Sequence, residues 1–282
     1  MKQTTIGVIG AGQMGQGIAQ AFATAGFQVI LNDIDRQAID IGLQAILKSL
    51  TQLHTKALLT EPCEVILARI NPHTELASLV KAQLVVEAVS ENESLKMKLF
   101  TELDQLCPEQ TILASNTSSI SITRLAAATS RPDRVVGMHF MNPVALMKLV
   151  EIIRGLQTSN QTYQTIVGLV KQLDKSTVTS KDRPGFIVNR ILLPTINEAI
   201  FTLSEGIASA EEIDTAMKLG ANYPLGPLAL ADYIGLDTCL NIMEVLLKGF
   251  NDPKYRPCPL LIQLVDAGYL GRKSGRGFFE YS

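Results

Sequence analysis

The chain has 282 residues, 25 basic and 27 acidic side chains and a formal net charge of −2, a length that predicts roughly two domains at about 150 residues each. Hydrophobic residues make up 46 % and charged residues 18 %, which excludes a disordered chain, and the near-neutral balance argues against a nucleic-acid or anionic-membrane partner. No apolar run approaches the roughly 20 residues of a membrane-spanning helix. Cys63, Cys107, Cys239 and Cys258 are scattered with no CxxC pair, so free thiols in a reducing compartment are expected rather than a disulfide framework or a metal site. The Gly-rich stretch close behind the N-terminus has a better explanation than a signal peptide, and a cytoplasmic location is the expectation.

In chain order, residues 5–9 read as a short buried strand, 13–25 as a helix and 28–31 as a second strand, with Gly26 where a helix C-cap glycine belongs. Asp35 can cap a helix running to about Leu53. Thr60-Glu61-Pro62 opens another that stops before Asn71-Pro72, giving a helical hairpin inserted at about residues 35–70. Residues 84–88 are an almost wholly apolar third strand, as expected when both sheet faces are covered. A helix over 92–106, a strand over 111–114 and strand-like runs over 135–139 and 149–153 follow. This alternation predicts an α/β fold: a Rossmann-type, doubly wound, mostly parallel sheet over residues 1–182. After Arg183-Pro184-Gly185 the pattern turns helical, with a wide apolar face over 187–203 and further helices over 211–219 and 238–247. Residues 183–282 are therefore expected to form an all-helical C-terminal domain.

Gly10-Ala11-Gly12-Gln13-Met14-Gly15 fits G-x-G-x-x-G between a predicted strand and a predicted helix. Gly10 permits the tight turn, Gly12 lets the backbone approach a pyrophosphate and Gly15 allows close helix–strand packing. The helix N-terminus offers unpaired N–H groups to the phosphates. Asp33 ends the second strand and can accept from the ribose hydroxyls of an adenosine, favouring NAD, while Arg36 nearby could instead pair with the 2′-phosphate of NADP.

Of the three histidines, His54 and His73 fall in connecting segments where solvent-exposed histidine is the plain reading. His139 ends a strand, and Glu151 lies on the next one. If residues 143–147 reverse the chain, the two side chains stand side by side. A carboxylate beside an imidazole fixes its tautomer and suits proton exchange with a hydroxyl or ketone; the plainer alternative is a satisfied semi-buried histidine next to a strand-end charge. Ser115-Asn116-Thr117-Ser118-Ser119 starts at a strand's C-terminal end, where ligands of doubly wound sheets bind, and can hydrogen-bond a carbonyl or simply cap the helix near Ser121. Asn189 could hydrogen-bond a substrate oxygen or cap the long helix it opens.

Together these residues resemble the L-3-hydroxyacyl-CoA dehydrogenase family, and within it the short bacterial 3-hydroxybutyryl-CoA dehydrogenases. The resemblance spans essentially the whole chain. Its markers are "GQGIAQ" from Gly15, "ASNTSSISIT" from Ala114, "GMHFMNPV" from Gly137, "KLVEII" from Lys148, "RPGFIVNRIL" from Arg183, "GPLALADYIGLD" from Gly226 and "GRKSGRGF" from Gly271. The resemblance implies that His139 is the general acid/base and Glu151 its orienting partner. It implies that Ser118 contacts the 3-oxygen of the substrate and that Asn189 helps close the site. It places Glu91, Lys96, Ser118 and Asn142 in the NAD pocket with the residues of the glycine turn and Asp33. Ser49 and Lys56 are similar to coenzyme A contacts in a hairpin that is less basic here, "LTQLHTKALLT" holding only Lys56. The implied reaction is reversible hydride transfer between NAD(H) and a 3-hydroxyacyl-CoA such as (S)-3-hydroxybutyryl-CoA, whose oxidised form is acetoacetyl-CoA. The implied assembly is a homodimer through the C-terminal domain. Two other readings stand beside it: a dehydrogenase of a free hydroxy acid or sugar acid, and a non-catalytic protein using the scaffold for NAD sensing.

Overall fold

A computed structural model describes residues 4–281. The chain divides into two compact units, Met1–Asp182 and Arg183–Ser282. In order, the first contains β1 (Thr5–Ile9), α1 (Gln13–Thr24), β2 (Gln28–Asn32), α2 (Arg36–Thr55), α3 (Cys63–Leu67), β3 (Ile70–His73), β4 (Leu84–Glu87), α4 (Glu93–Leu106), β5 (Ile112–Ser115), α5 (Ile122–Ala127), β6 (Val135–Phe140), β7 (Leu149–Arg154), α6 (Asn160–Gln172) and β8 (Ser176–Lys181). The strands form one sheet in the order β3-β2-β1-β4-β5-β6-β7-β8. Every neighbouring pair is parallel except β6 with β7. The order reverses between β1 and β4, and ligands of such sheets bind in the crevice beyond the carboxyl ends of the strands at that point. The expected mostly parallel, doubly wound sheet is what forms.

Apolar runs in the strands drive this arrangement. Ile6, Val8 and Val86 are fully buried, packed with Ile18 and Phe22 of α1 and Ile39, Ile46 and Leu50 of α2. Asp35 caps α2 by accepting from the Gln37 N–H, and Asn92 caps α4 by accepting from that of Leu95. The second arm of the expected hairpin is much shorter than its pattern predicts. The chain leaves α3 after Leu67, and Ile70–His73 joins the sheet edge as β3, with Pro72 opposite Leu31. An edge strand tolerates a proline because its outer N–H groups need no partner. The two elements after β7, α6 and the polar edge strand β8, carry no sequence expectation at all. β8 reads STVTSK with mostly exposed side chains, so it offers no apolar alternation to find.

The second unit is helical: α7 (Val188–Ser204), α8 (Ala210–Gly220), α9 (Pro227–Ile234), α10 (Leu236–Phe250) and α11 (Pro259–Asp266). Its core joins Leu193, Ile196 and Ile200 of α7 to Leu228, Met243 and Leu246. The sequence reading lacks α9 and α11, both opened by prolines, and starts α10 two residues late. Gly235, at φ +102°, makes the turn that separates α9 from α10. No helix among the described residues is long and apolar enough to cross a membrane.

Candidate active site

The glycine turn joins β1 to α1. Gly10 has φ +99°, and a Cβ there would stand 2.6 Å from the Ala88 carbonyl oxygen. A Cβ on Gly15 would stand 1.7 Å from the carbonyl oxygen of Gly10, so helix and turn touch backbone to backbone. Gly12 differs: nothing lies within 4 Å of the place a Cβ would take. The protein itself does not need that space, and a pyrophosphate does. The first turn of α1 has no acidic residue and no side-chain cap, so its N–H groups and positive dipole end are left to an anion. Gln13 and Met14 occupy that first turn, Gln13 exposed and Met14 half-buried. Asp33 Oδ2 accepts from the Ala11 N–H at 2.7 Å and Oδ1 from that of Asp35 at 3.0 Å, which orients the carboxylate against the turn. Arg36 is engaged elsewhere, its Nε 3.1 Å from Asp40. The residues present therefore fit a dinucleotide without a 2′-phosphate.

Beyond the ends of β4 and β5 lies a polar network. Glu91 Oε1 accepts from the Thr117 hydroxyl at 2.5 Å, the Ser118 and Ser119 N–H groups at 3.0 and 3.1 Å and the Ser119 hydroxyl at 2.8 Å. Glu91 Oε2 lies 3.5 Å from the Lys96 ammonium. Lys96 itself is 1 % exposed and pairs more closely with Glu87, at 2.5 Å. Glu87 also accepts from the Ser115 hydroxyl at 2.6 Å and the Val89 N–H at 2.7 Å. The sequence reading misses Glu87, although a single carboxylate in the apolar run Leu84-Val85-Val86-Glu87-Ala88 is a usable signal. Buried charge survives only when paired.

The antiparallel register of β6 and β7 sets His139 directly opposite Glu151. Partners across such a ladder point to the same face. His139 Nδ1 lies 2.7 Å from Glu151 Oε2, and Nε2 lies 3.0 Å from the Ser118 hydroxyl. Glu151 is fully buried and His139 nearly so. Asn116 ties the polar loop to the same strand, its Oδ1 accepting from the Phe140 N–H at 2.9 Å. Asp182 holds the start of α5, accepting from the Ser121 hydroxyl and from the Ile122 and Thr123 N–H groups. The chain from β6 to β7 does reverse. Lys175 donates from Nζ to the Val144 and Met147 carbonyls, each at 2.6 Å, while Val144 packs on Gly17 of α1.

His139, Glu151, Ser118, Glu91 and Lys96 are thus brought into one hydrogen-bonded assembly. Asn142 lies two residues beyond β6 and is exposed. Ser49 and Lys56 stand apart from that assembly, Ser49 in the last two turns of α2 and Lys56 at its C-cap. Asn189 belongs to the other unit, where it is the second residue of α7 and not its cap, a place taken by Ile187. His54 and His73 are exposed. No group of three or more residues able to hold a metal ion occurs among the described residues.

Residues 5–183 match the NAD binding domain of 3-hydroxyacyl-CoA dehydrogenase, and residues 185–281 match the C-terminal domain of the same family. The chain is 53 % identical to the probable 3-hydroxybutyryl-CoA dehydrogenase of Bacillus subtilis, over 100 % of this chain and 98 % of that protein. It is 54 % identical to the 3-hydroxybutyryl-CoA dehydrogenase of Bradyrhizobium diazoefficiens, over 98 % of this chain and 94 % of the relative. The crystal structure of (S)-3-hydroxybutyryl-CoA dehydrogenase from Ralstonia eutropha superposes with a TM-score of 0.96 at 54 % identity, covering 100 % of both chains. With both domain models matched in sequence and the glycine turn shaped for the cofactor, the chain belongs to the 3-hydroxyacyl-CoA dehydrogenase family of NAD-dependent enzymes.

Proposed function

We propose that the protein interconverts a short-chain 3-hydroxyacyl-CoA, of the (S)-3-hydroxybutyryl-CoA type, with its 3-oxoacyl-CoA, and that His139 exchanges the proton at the substrate's 3-oxygen. The observation that carries this reading is the line Ser118–His139–Glu151, with both ring nitrogens engaged. An ionised carboxylate only accepts, so Glu151 keeps the proton on Nδ1 and leaves Nε2 as the exchanging atom. NAD, when bound, takes hydride from the alcohol carbon, and NADH returns it. In oxidation Nε2 receives the 3-hydroxyl proton, and the imidazolium so formed sits against the buried Glu151 carboxylate. In reduction Nε2–H gives the proton back to the developing alkoxide. Ser118 hydrogen-bonds the same oxygen and holds it in line with Nε2. Proton transfer of this kind contributes roughly 10²–10⁴-fold.

Asp33 receives the adenosine ribose, and Glu91 and Asn142 line the nicotinamide end. Lys96 acts on that end through Glu91, because its own ammonium is buried between carboxylates. Ser49 on α2 and Lys56 at its C-cap receive coenzyme A. A second copy of the chain docks on the second unit. Its surface carries a groove of about 610 Å³ lined by apolar groups including Ala199, Ile207, Ile213 and Met217, with Ile207 68 % exposed.

The deciding experiment follows loss of NADH absorbance with acetoacetyl-CoA, with free acetoacetate as control. Turnover of the CoA ester alone supports the reading. Turnover of the free acid alone overturns the assignment of substrate class.

A further inference from the structure

Glu87 ends β4, with Ile9 of β1 on one side of it in register and Ser115 of β5 on the other, at the strand ends that border the crevice. It is fully buried, and so is the Lys96 ammonium it holds at 2.5 Å. Buried ion pairs of this kind seldom stabilise a fold more than apolar side chains of similar volume would, because desolvation offsets the attraction. The pair is also not isolated. The same ammonium lies 3.5 Å from Glu91, whose side chain is 42 % exposed and whose carboxylate is bonded to the loop carrying Ser118. Two carboxylates thus share one cation, and the cluster carries a net single negative charge. The shorter contact is to Glu87, which leaves the excess charge on Glu91, the member that reaches the surface.

We propose that Glu87 is a positioning residue that sets the charge presented to the nicotinamide: by holding Lys96 in a buried pair it keeps Glu91 a net anion and biases the site toward the oxidised, cationic ring. This rests on the placement of the nicotinamide beside Glu91 and Ser118 proposed above. A nicotinamide ring is positively charged when oxidised and neutral when reduced, so a nearby anion favours NAD⁺ over NADH by its interaction with that one charge. Without Glu87, the Lys96 charge falls to Glu91 alone and the cluster becomes neutral.

The test is a pair of dissociation constants. Nicotinamide fluorescence reports NADH binding, and NAD⁺ is measured by competition. Glu87→Gln should raise the ratio Kd(NAD⁺)/Kd(NADH) about three- to tenfold, the size expected of one unit charge partly screened by solvent. The double variant Glu87→Gln/Lys96→Met leaves Glu91 as the one charge and should return the ratio to within about twofold of the parent. An unchanged ratio in Glu87→Gln, or a parallel rise of both constants, overturns the proposal. If the single variant does not fold, the double variant decides: a ratio displaced toward NADH overturns it. Glu91→Gln separates this result from the underlying reading. No shift there removes Glu91 from the nicotinamide, whereas a shift there with none in Glu87→Gln removes only the role of Glu87.

Discussion

The Ser118 hydroxyl lies 3.0 Å from His139 Nε2, the ring nitrogen turned away from Glu151. That nitrogen is the one free of the carboxylate, and the proposed chemistry runs through it. His139→Gln should therefore lower kcat roughly 10²–10⁴-fold with little change in NADH affinity. Steady-state kinetics with acetoacetyl-CoA and a fluorescence titration check both halves; a matching loss of NADH affinity would move His139 from proton transfer to cofactor binding.

Glu151→Gln keeps a hydrogen-bond acceptor next to Nδ1 but removes the charge that faces the imidazolium. It should cost kcat more than KM, since the charge matters most when the ring is protonated. An effect confined to KM would assign Glu151 to substrate binding.

The glycines of the turn make a contrasting pair. Gly15→Ala would drive a Cβ to within 1.7 Å of the Gly10 carbonyl oxygen, so the fold itself must give way, and thermal unfolding should fall by several degrees or expression fail. Gly12→Ala meets no protein atom within 4 Å, so it should melt close to the parent while binding NADH markedly more weakly. Equal melting of the two variants would contradict this division of roles.

Asp33 should govern cofactor choice. Asp33→Asn keeps an acceptor for the Ala11 N–H and removes the charge that repels a 2′-phosphate. The ratio of kcat/KM for NADPH to that for NADH should rise, and further in the Asp33→Asn/Asp40→Asn variant, which also releases Arg36 from its 3.1 Å partner.

Thiol reactivity should be confined to one position. Burial pushes the Cys239 thiol up to about 12 and that of Cys107 upward as well, while Cys258 is fully buried. Cys63 is half-buried. Alkylation of the native protein at neutral pH, read by mass spectrometry, should modify Cys63 first, because it is the one of the four that is not buried and burial also suppresses the thiolate at Cys107 and Cys239.

What the sequence makes legible follows from how much of each element's role is written locally. The glycine turn, β1, β4 and the β6–β7 pair announce themselves through apolar runs and turn residues. β8 and β3 do not: one is polar on both faces and the other carries Asn71-Pro72, and each becomes a strand only because a neighbouring edge offers hydrogen bonds. Asp33, His139 and Glu151 stand out as polar groups within or just after apolar strands. Glu87 does so equally but is passed over in the reading of its strand as almost wholly apolar, and its partners Lys96 and Glu91 come into relation with it only through the fold. The commitment of Arg36 to Asp40 is likewise a contact of geometry, although their i, i+4 spacing on α2 permits it.

His139 and Glu151 face each other because β6 and β7 are aligned residue against residue. A slip of one position would turn Glu151 to the opposite side of the sheet while leaving every backbone bond available to re-form. Catalytic competence is in this sense a readout of strand alignment. A misfolded or aged preparation with normal secondary-structure content and no activity would be the mark of a shifted outer ladder, detectable as a lost His139 environment long before any loss of sheet.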